Sequence, residues 1–567
     1  MFTEQRRGSL ARMRNLVVTP KPIIEVTLTD DQKDAFVPQY TSLDEIKGEV
    51  SITASCDTSF DDIYITFEGS TRTFVEKIAT TSPTNGRTEA FHNFVRLVQP
   101  MDPSIFPNPR VIEARKTYKF PFTFVVQETL LPQSCTHSKN PGFPGGGHMI
   151  PPPSLGDPLV ASMGKSLMDD MAPDMGAIAY SVRCRMTSGR GPSGKHKTMA
   201  EGSKKLRIIP AMEEQPPLDV KIEGDDRYDY KMRREKNIKK GIFKGKLGRL
   251  VVQSAQPQSL RLPYSKGADA DRSPTTMATV NVRFDPIEES SPPPGLNTLQ
   301  AKLKVATFFT SVPMDEIPSR SSDFHYSSVR GIFVETLNLS SRCLSNIEWQ
   351  KHTHSTLLSH RAPGIPNPSE AYHDGPFYTA KVVVPVSLPK GNKVFVPSFH
   401  SCLVSRIYAL DLYLSINTPN ATVTDPTLHL KLPIQVSSEG NPNAKPAISA
   451  EVGSPPSTRY ISQEHAAIVA REANAYFDPR SVAPPSPEYT EHALLNTLPN
   501  RAMARIMGGS PQLSVRTNGA QPRFQSLSFE GEEEASAPPP EYTHYGGRNT
   551  QRVRSSVPGP LGSPRLI

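Results

Sequence analysis

The feature that most constrains the fold is the alternation of apolar and polar residues at a period of two. Phe120, Phe122 and Phe124 occupy alternate positions, so an extended strand would place them on one face. Comparable runs are found at 23–28, 49–54, 63–70, 177–184, 278–284, 299–305, 332–337, 380–386, 407–414 and 428–436. We therefore predict an all-β protein whose antiparallel strands form β-sandwiches in two successive lobes.

Glycine and proline refine the strand predictions. The run 63–70 reaches Gly69 and Ser70, and we expect the strand to stop there. Pro385 and Pro433 lie within two other runs. Because proline has no N–H to donate to a ladder, those strands should lie at sheet edges or bulge at the proline.

Composition divides the chain into folded and unfolded parts. Proline accounts for 57 of 567 residues and hydrophobic residues for 36%, which indicates folded domains diluted by unfolded stretches. The first lobe should contain two long loop insertions, one rich in Pro and Gly and one rich in Gly, Ser, Lys and Arg. The tail should be disordered, apart from a short helix at 462–474. The predicted boundaries are a disordered N-terminus at 1–21, a first lobe at 22–212 with insertions at 139–173 and 187–204, a second lobe at 213–440, and a tail at 441–567.

Several classes of protein are disfavoured. No run of 18 apolar residues is present and the first residues lack an apolar core, so we predict neither a membrane span nor a secretory signal. The five cysteines are widely spaced and lack a C-x-x-C pair, which argues against a disulfide framework or a zinc site and fits a reducing cytoplasm. The net charge of +8 permits an anionic partner such as a membrane surface. The cysteines are Cys56, Cys135, Cys184, Cys343 and Cys402.

No constellation of catalytic residues stands out. His352, His354 and His360 cluster near Trp349 in a segment rich in Ser, Thr and Pro, and we interpret them as solvated loop histidines rather than metal ligands. The glycines at 145–147 lack the Lys-Ser/Thr of a phosphate loop. We therefore predict no enzymatic activity, no metal and no cofactor, which also disfavours a β-sandwich enzyme.

The densest charge lies in the basic run from residue 231 to 249. It could contact anionic lipids of the inner leaflet, or carry the lysine that accepts ubiquitin. Nucleic acid is disfavoured as a partner because bases stack on aromatic side chains, and within the basic run only Phe243 provides one. The alternative is a solvated connector between the two lobes. The candidate lysines are Lys231, Lys236, Lys239, Lys240, Lys244 and Lys246.

A short motif in the tail predicts a binding partner. Pro539 and Pro540 precede Glu541 and Tyr542, and consecutive prolines favour the polyproline II helix that WW domains bind in aromatic grooves. We expect Pro539, Pro540 and Tyr542 to make that contact; the alternative is a proline-rich linker with no partner. An acidic cluster at 530–534 would steer the motif towards a basic WW surface.

A second tail segment resembles the same motif less closely. Its sequence is Pro-Pro-Ser-Pro-Glu-Tyr, which ends at Tyr489, and Ser486 stands where the strict pattern needs a proline. Pro487 and Tyr489 are therefore a weaker candidate for WW binding.

Four segments, in order, resemble the arrestin fold of the α-arrestins, the fungal arrestin-related trafficking adaptors. They comprise an aromatic strand with an LPxS turn, the strand after that turn, a proline turn before an xYxL strand, and a closing LPI strand. The loops of that family are usually shorter than 139–173. The resemblance covers roughly residues 22–440, and its segments are 118–124 with 130–134, 178–184, 396–399 with 404–410, and 430–436.

The resemblance implies two arrestin-like, immunoglobulin-type β-sandwich lobes followed by a disordered tail, and it implies that the protein is an adaptor. Such proteins bridge plasma-membrane cargo, often transporters, to a HECT-type ubiquitin ligase with WW domains, which promotes ubiquitination and endocytosis of the cargo. The adaptor itself is often ubiquitinated. We accordingly expect a cytoplasmic protein, peripheral at the plasma membrane and endosomes. The alternative is an arrestin-like signalling scaffold at the plasma membrane, for example in ambient-pH sensing, without ligase recruitment.

Overall fold

The computed structural model is built almost entirely of strands, which confirms the all-β prediction. No helix in the part of the chain that it describes is long and apolar enough to cross a bilayer. The described residues are 21–30, 37–77, 86–137, 148–162, 166–190, 196–220, 229–240, 245–318, 327–353, 364–417, 426–444 and 480–482.

The first lobe contains two sheets, a three-stranded sheet in the order β1-β3-β8 and a six-stranded sheet in the order β2-β10-β9-β5-β6-β23, where β23 is a strand from the tail. A short helix, α1 (Pro158–Ala161), follows β8 in the chain. The strands are β1 (Ile23–Leu28), β2 (Gln39–Tyr40), β3 (Glu45–Thr53), β4 (Thr58–Ser59), β5 (Asp62–Lys77), β6 (Gly86–Val98), β7 (Val111–Ile112), β8 (Thr117–Val125), β9 (Gly176–Arg190), β10 (His196–Ile208) and β23 (Arg480–Val482).

Aromatic side chains fill the space between these two sheets. Phe120, Phe122 and Phe124 are buried on one face of β8, as the alternation predicts. The ring of Phe124 lies 6.0 Å from that of Phe67 on β5, and Phe67 stacks on Tyr180 of β9 at 5.9 Å. The core of the first lobe is therefore the buried face of each sheet packed against the other.

The second lobe repeats this architecture with a separate apolar core. One sheet has the order β11-β12-β14-β18-β17, and the other has the order β16-β15-β20-β19 with β21 also paired to β20. The strands are β11 (Arg233–Lys239), β12 (Lys246–Ser254), β13 (Leu260–Leu262), β14 (Thr275–Pro286), β15 (Gly295–Thr310), β16 (Arg330–Cys343), β17 (Gln350–His352), β18 (Phe377–Ser387), β19 (Phe399–His400), β20 (Val404–Asn417), β21 (Thr427–Ile434) and β22 (Val436–Ser438).

Both strand prolines lie at edge positions, as predicted. Pro385 pairs with Met277 of β14, while the ladder on the other side of β18 covers only 377–379 among the described residues. Pro433 lies in β21, whose ladder in the described chain is with β20. Neither proline interrupts a two-sided ladder, because each presents its N–H-free side to the open edge.

The prediction that a strand ends at Gly69 is wrong. Strand β5 continues to Lys77, and the register with β6 shifts at this point, leaving Phe94 of β6 as the extra residue of a β-bulge. Gly69 is required by packing, because a Cβ there would lie 2.7 Å from the Phe94 ring and 2.8 Å from the Tyr180 ring. The glycine admits two aromatic rings instead of ending the strand.

The predicted loop insertion at 187–204 is also wrong. Apart from 191–195, which lie outside the described residues, this segment forms the hairpin of β9 and β10, in which Arg185 is opposite Glu201. On β9, Arg183 and Arg185 pair with Glu68 of β5 at 3.3 and 3.5 Å. The segment was taken for a loop because the outer face of this hairpin is charged, so little apolar alternation marks it.

The described part of 139–173 is packed and not a mobile loop. Residues 150–155 are largely buried, and Leu155 and Ile178 exchange two backbone hydrogen bonds of 3.0 and 2.8 Å. Residues 138–147 and 163–165 lie outside the described residues. Proline-rich composition indicated a loop, yet prolines also suit an extended segment that lies across a sheet and needs few N–H partners.

The tail contains one strand that the sequence did not predict. Strand β23 pairs antiparallel with β6, with Arg480 opposite Glu89 and Val482 opposite Arg87. The segment was predicted to be disordered, and the edge of β6 supplies the backbone partners that local composition does not reveal. The predicted helix at 462–474, the N-terminus at 1–20 and the rest of 445–567 lie outside the described residues.

Replacing Gly69 by alanine tests the packing at the bulge. We expect Gly69→Ala to lower the free energy of unfolding by about 1–3 kcal/mol, because its methyl group would press on two buried rings. Gly86→Ala is the control, since nothing lies within 4 Å of a Cβ at that position. Urea unfolding of both variants measures the effect; equal stabilities would contradict the assigned packing.

Candidate functional site

The two lobes meet around a buried arginine of the second lobe. Arg406 on β20 is fully buried, and its Nε donates to Thr307 Oγ1 at 2.9 Å. Its two terminal nitrogens donate to the backbone carbonyl oxygens of Asp170 and Met171 in the first lobe, at 3.0 and 3.1 Å. One guanidinium group thereby joins a strand of the second lobe to a loop of the first.

The loop that receives Arg406 carries a buried carboxylate. Asp170 accepts hydrogen bonds from the backbone N–H groups of Gly156 and Ala172 at 2.7 and 3.1 Å. Burial raises the pKa of Asp170, and the charge of Arg406 opposes that shift. Burial lowers the pKa of Arg207 to about 10, and the charge of Asp170 opposes it in turn. The attraction between Asp170 and the two arginines therefore offsets part of the free energy that it costs to bury these three charges.

A second contact adds backbone pairing to the interface. The N–H of Asp169 donates to Asn392 and its carbonyl accepts from Val394, both at 2.8 Å. Lys393 binds the carboxylates of Asp169 and Glu335 at 2.5 Å each. Contacts of backbone, charge and buried arginine therefore hold the lobes together, and the described residues of the two lobes belong to one compact unit.

Four potential metal ligands converge beside this interface: Cys135, His137, His148 and Cys402, called here the Cys/His cluster. Their ligand atoms all lie within 4.8 Å of one another. His137 Nε2 is 3.2 Å from His148 Nδ1, and Cys135 Sγ is 3.6 Å from the same nitrogen. His148 and Cys402 are each only 2% exposed, so the cluster is largely withdrawn from water.

Short structural elements hold these residues in place. A single 3-10 turn, Pro132–Ser134, ends immediately before Cys135, and the Ser134 hydroxyl donates to Phe94 O at 2.7 Å. Leu130 N donates to Met149 O at 2.6 Å, which fixes the chain next to His148. Cys402 lies in the tight turn between β19 and β20, where its carbonyl accepts from Met314 N at 2.8 Å. The cluster thus combines a loop of the first lobe with a turn of the second.

The surroundings favour the thiolate form of Cys135. A hydrogen bond from Cys402 is the largest cause that lowers the pKa of the Cys135 thiol well below its usual range, and His137 and His148 act in the same direction, against burial. Burial lowers the pKa of nearby His92 and His400 to about 4. Thiolate sulfur and neutral imidazole nitrogen are the forms in which these side chains bind metals.

The Cys/His cluster was not predicted from the sequence. The missing C-x-x-C pair spoke against a zinc site, but the four ligands come from separate segments of two lobes. Cys135 and His137 are near neighbours in sequence, yet one Cys-x-His is too common to indicate a site. The site can be recognised only in the tertiary structure, because β19 and β20 must first bring Cys402 to the first lobe.

The basic run is an edge hairpin and not a connector, so that interpretation is wrong. The run forms β11 and the start of β12, in which Lys239 pairs with Lys246. The backbone of Lys231 pairs with that of Lys431, Lys236 donates to Thr427 O at 3.3 Å, and Lys240 pairs with Glu288 at 2.9 Å. Lys239 and Lys246 are exposed, and Lys244 lies outside the described residues. Contact with lipid or ubiquitin stays a prediction.

The residues predicted to bind WW domains lie outside the part of the chain that the structure describes. They are Pro487, Tyr489, Pro539, Pro540 and Tyr542. His354 and His360 also lie outside that part.

His352 lies in β17, where its ring stacks on Phe377 at 4.7 Å and its Nε2 is 2.8 Å from Thr379 Oγ1. The prediction of a solvated loop histidine is therefore wrong at this position, since β18 supplies both partners.

Comparison with models of known protein families and with curated proteins finds no match. The likeness to α-arrestins therefore rests on the four sequence segments described above.

Removing the Arg406 side chain tests the dependence of the lobes on one another. We expect Arg406→Ala to destabilise the protein by roughly 3–5 kcal/mol, because Asp170 then remains buried without the charge of Arg406 and two buried carbonyl groups lose their donor. Arg234→Ala, at an exposed position on β11, is the control and should change stability by less than about 0.5 kcal/mol. Thermal and urea unfolding measure both, and a neutral Arg406→Ala would refute the role given to this contact.

Proposed function

We propose that the protein is an adaptor that joins a membrane cargo, such as a transporter, to a ubiquitin ligase with WW domains. The observation that carries this proposal is the Pro-Pro-Glu-Tyr sequence that ends at Tyr542, placed after two folded β-lobes. In this scheme the ligase binds the tail and ubiquitinates the cargo held by the lobes, and the cargo is then internalised.

The chemistry of the motif supports the ligase half of the proposal. The ring of each proline fixes φ, so Pro538, Pro539 and Pro540 lose little conformational entropy when they bind as a polyproline II helix. Tyr542 then supplies a large aromatic anchor for a neighbouring pocket. The acidic residues at 530–534 favour approach to a basic rim and raise the association rate more than the affinity.

The architecture of the lobes supports the cargo half. Strands β11 and β16 stand at the ends of their sheets in the described chain. An extended cytoplasmic segment of a cargo can add to such an edge through backbone hydrogen bonds, with pockets for alternate side chains providing selectivity. The resemblance to α-arrestins likewise assigns cargo binding to the lobes.

The exposed lysines of the basic hairpin complete the proposal. Lys239 and Lys246 project from paired positions of β11 and β12. We assign them as acceptors when the bound ligase modifies the adaptor itself; the competing assignment is contact with an anionic lipid surface. Binding to vesicles with and without phosphatidylserine distinguishes the two assignments, since only the assignment to lipid contact requires the lysines for binding to the vesicles.

Replacing Tyr542 by alanine tests ligase recruitment. We expect Tyr542→Ala to weaken binding of the full chain to purified WW domains tenfold or more, because loss of a pocket-filling anchor costs about 2 kcal/mol or more. Tyr545→Ala, three residues along the chain, is the matched control and should bind normally. Tyr489→Ala measures the weaker motif and should have a smaller effect. Isothermal calorimetry gives the affinities.

Proximity labelling in cells separates the adaptor from a ligase-free signalling scaffold. The Tyr542→Ala protein should lose the ligase from its labelled neighbours and keep the transporters. If it keeps both, bridging through this motif is refuted. If the wild-type protein labels signalling components and no ligase, the scaffold alternative replaces the adaptor.

A further inference from the structure

We propose that Cys135, His137, His148 and Cys402 bind one zinc ion, which fastens the second lobe to the first. The proposal concerns the folded body of the protein and does not depend on ligase recruitment. Three ligands belong to the loop that follows β8, and the fourth belongs to the turn between β19 and β20. The ion would therefore connect two lobes that already meet at Arg406.

The distances between the ligand atoms fit tetrahedral zinc. Zinc binds thiolate sulfur at about 2.3 Å and imidazole nitrogen at about 2.0–2.1 Å, so tetrahedral geometry separates two nitrogens by about 3.3 Å and a nitrogen from a sulfur by about 3.6 Å. The measured separations are 3.2 Å between the imidazole nitrogens and 3.6 Å between Cys135 Sγ and His148 Nδ1. All four atoms lie within 4.8 Å of one another, so an approach of about 1 Å by the most distant pair completes the site.

The identity of the ligands selects the metal. Two sulfurs and two imidazole nitrogens are soft or intermediate donors, which disfavours calcium and magnesium because those ions take oxygen ligands. Four protein ligands also leave no position for water or substrate, which is the pattern of structural zinc sites. We therefore assign zinc a structural role and no catalytic one.

A disulfide between Cys135 and Cys402 is the competing chemistry. It requires two sulfurs about 2.05 Å apart, whereas neither cysteine is in a disulfide in the structure. It would also leave the convergence of two histidine nitrogens on the same point without an explanation. The two chemistries give opposite results in a thiol count of the metal-free protein.

The position of the site means that the ion would stabilise the docking of the two lobes. Cys402 and Arg406 belong to the same hairpin, so the ion and the buried guanidinium hold one element of the second lobe at two places. Because the fourth ligand reaches the cluster only when the lobes are docked, the free energy of zinc binding adds to that of docking. Zinc removal should therefore loosen the contact between the lobes, where Phe399, Leu403 and Val404 of the second lobe pack into the apolar core of the first.

The metal content of the purified full chain tests the proposal. Plasma mass spectrometry should find one zinc per wild-type chain prepared with a reductant and without chelator. Cys402→Ser and His137→Ala should each contain less than about a tenth of that, because a lost ligand weakens structural zinc strongly. Cys56→Ser and Cys343→Ser, both at exposed cysteines outside the cluster, are matched controls and should keep one zinc.

Cobalt titration of metal-stripped wild-type protein provides a readout that needs no variant. Co²⁺ should bind at one equivalent and give the visible bands of a tetrahedral ion together with sulfur-to-cobalt charge transfer, and zinc should displace it. Binding without sulfur charge transfer would overturn the proposal. So would a wild-type protein without stoichiometric zinc, a Cys402→Ser variant that keeps it, or a thiol count that reveals a Cys135–Cys402 disulfide.

Discussion

The insertion of Arg406 between the lobes is the interaction on which the rest of the structure depends. Its guanidinium crosses from β20 to the carbonyl groups of 170 and 171, and a buried cation is stable only with such partners. Strand β20 also pairs with β15, β19 and β21. Anything that displaces Arg406 consequently disturbs the sheet of the second lobe and the docking of the first.

The same hairpin explains how two sandwiches are held as one body. Arg406 and the turn at Cys402 hold the second lobe against the described residues of the first between 135 and 171, with zinc as the second fastening in our proposal. In the proposed adaptor, a fixed arrangement of the lobes would keep the open sheet edges in constant relation to one another, which would lower the entropy lost when a cargo segment binds. In this account recruitment of the ligase is assigned to the tail, so binding of cargo and of ligase use separate parts of the chain.

The sequence predicted features that depend on local periodicity. Alternation at Phe120, Phe122 and Phe124 gave the correct strand and the correct buried face. It failed at Gly69 and along 187–204, where neighbouring strands determine the structure: two rings explain the glycine, and Glu68 supports the charged face of β9. The Cys/His cluster could not be predicted, because Cys402 joins the other three ligands only through the packing of the lobes. The tail motif, by contrast, can be found in the sequence because it consists of four consecutive residues.

X-ray absorption at the zinc edge tests the central claim most directly, because it reports the ligands that surround the ion in the intact protein. We predict a first shell of two sulfurs at about 2.3 Å and two nitrogens at about 2.0–2.1 Å, and loss of most of this zinc signal in Cys402→Ser, which should bind little zinc. That result would show that a residue of each lobe binds the same ion. A shell of nitrogen and oxygen alone, or a spectrum unchanged by Cys402→Ser, would contradict it.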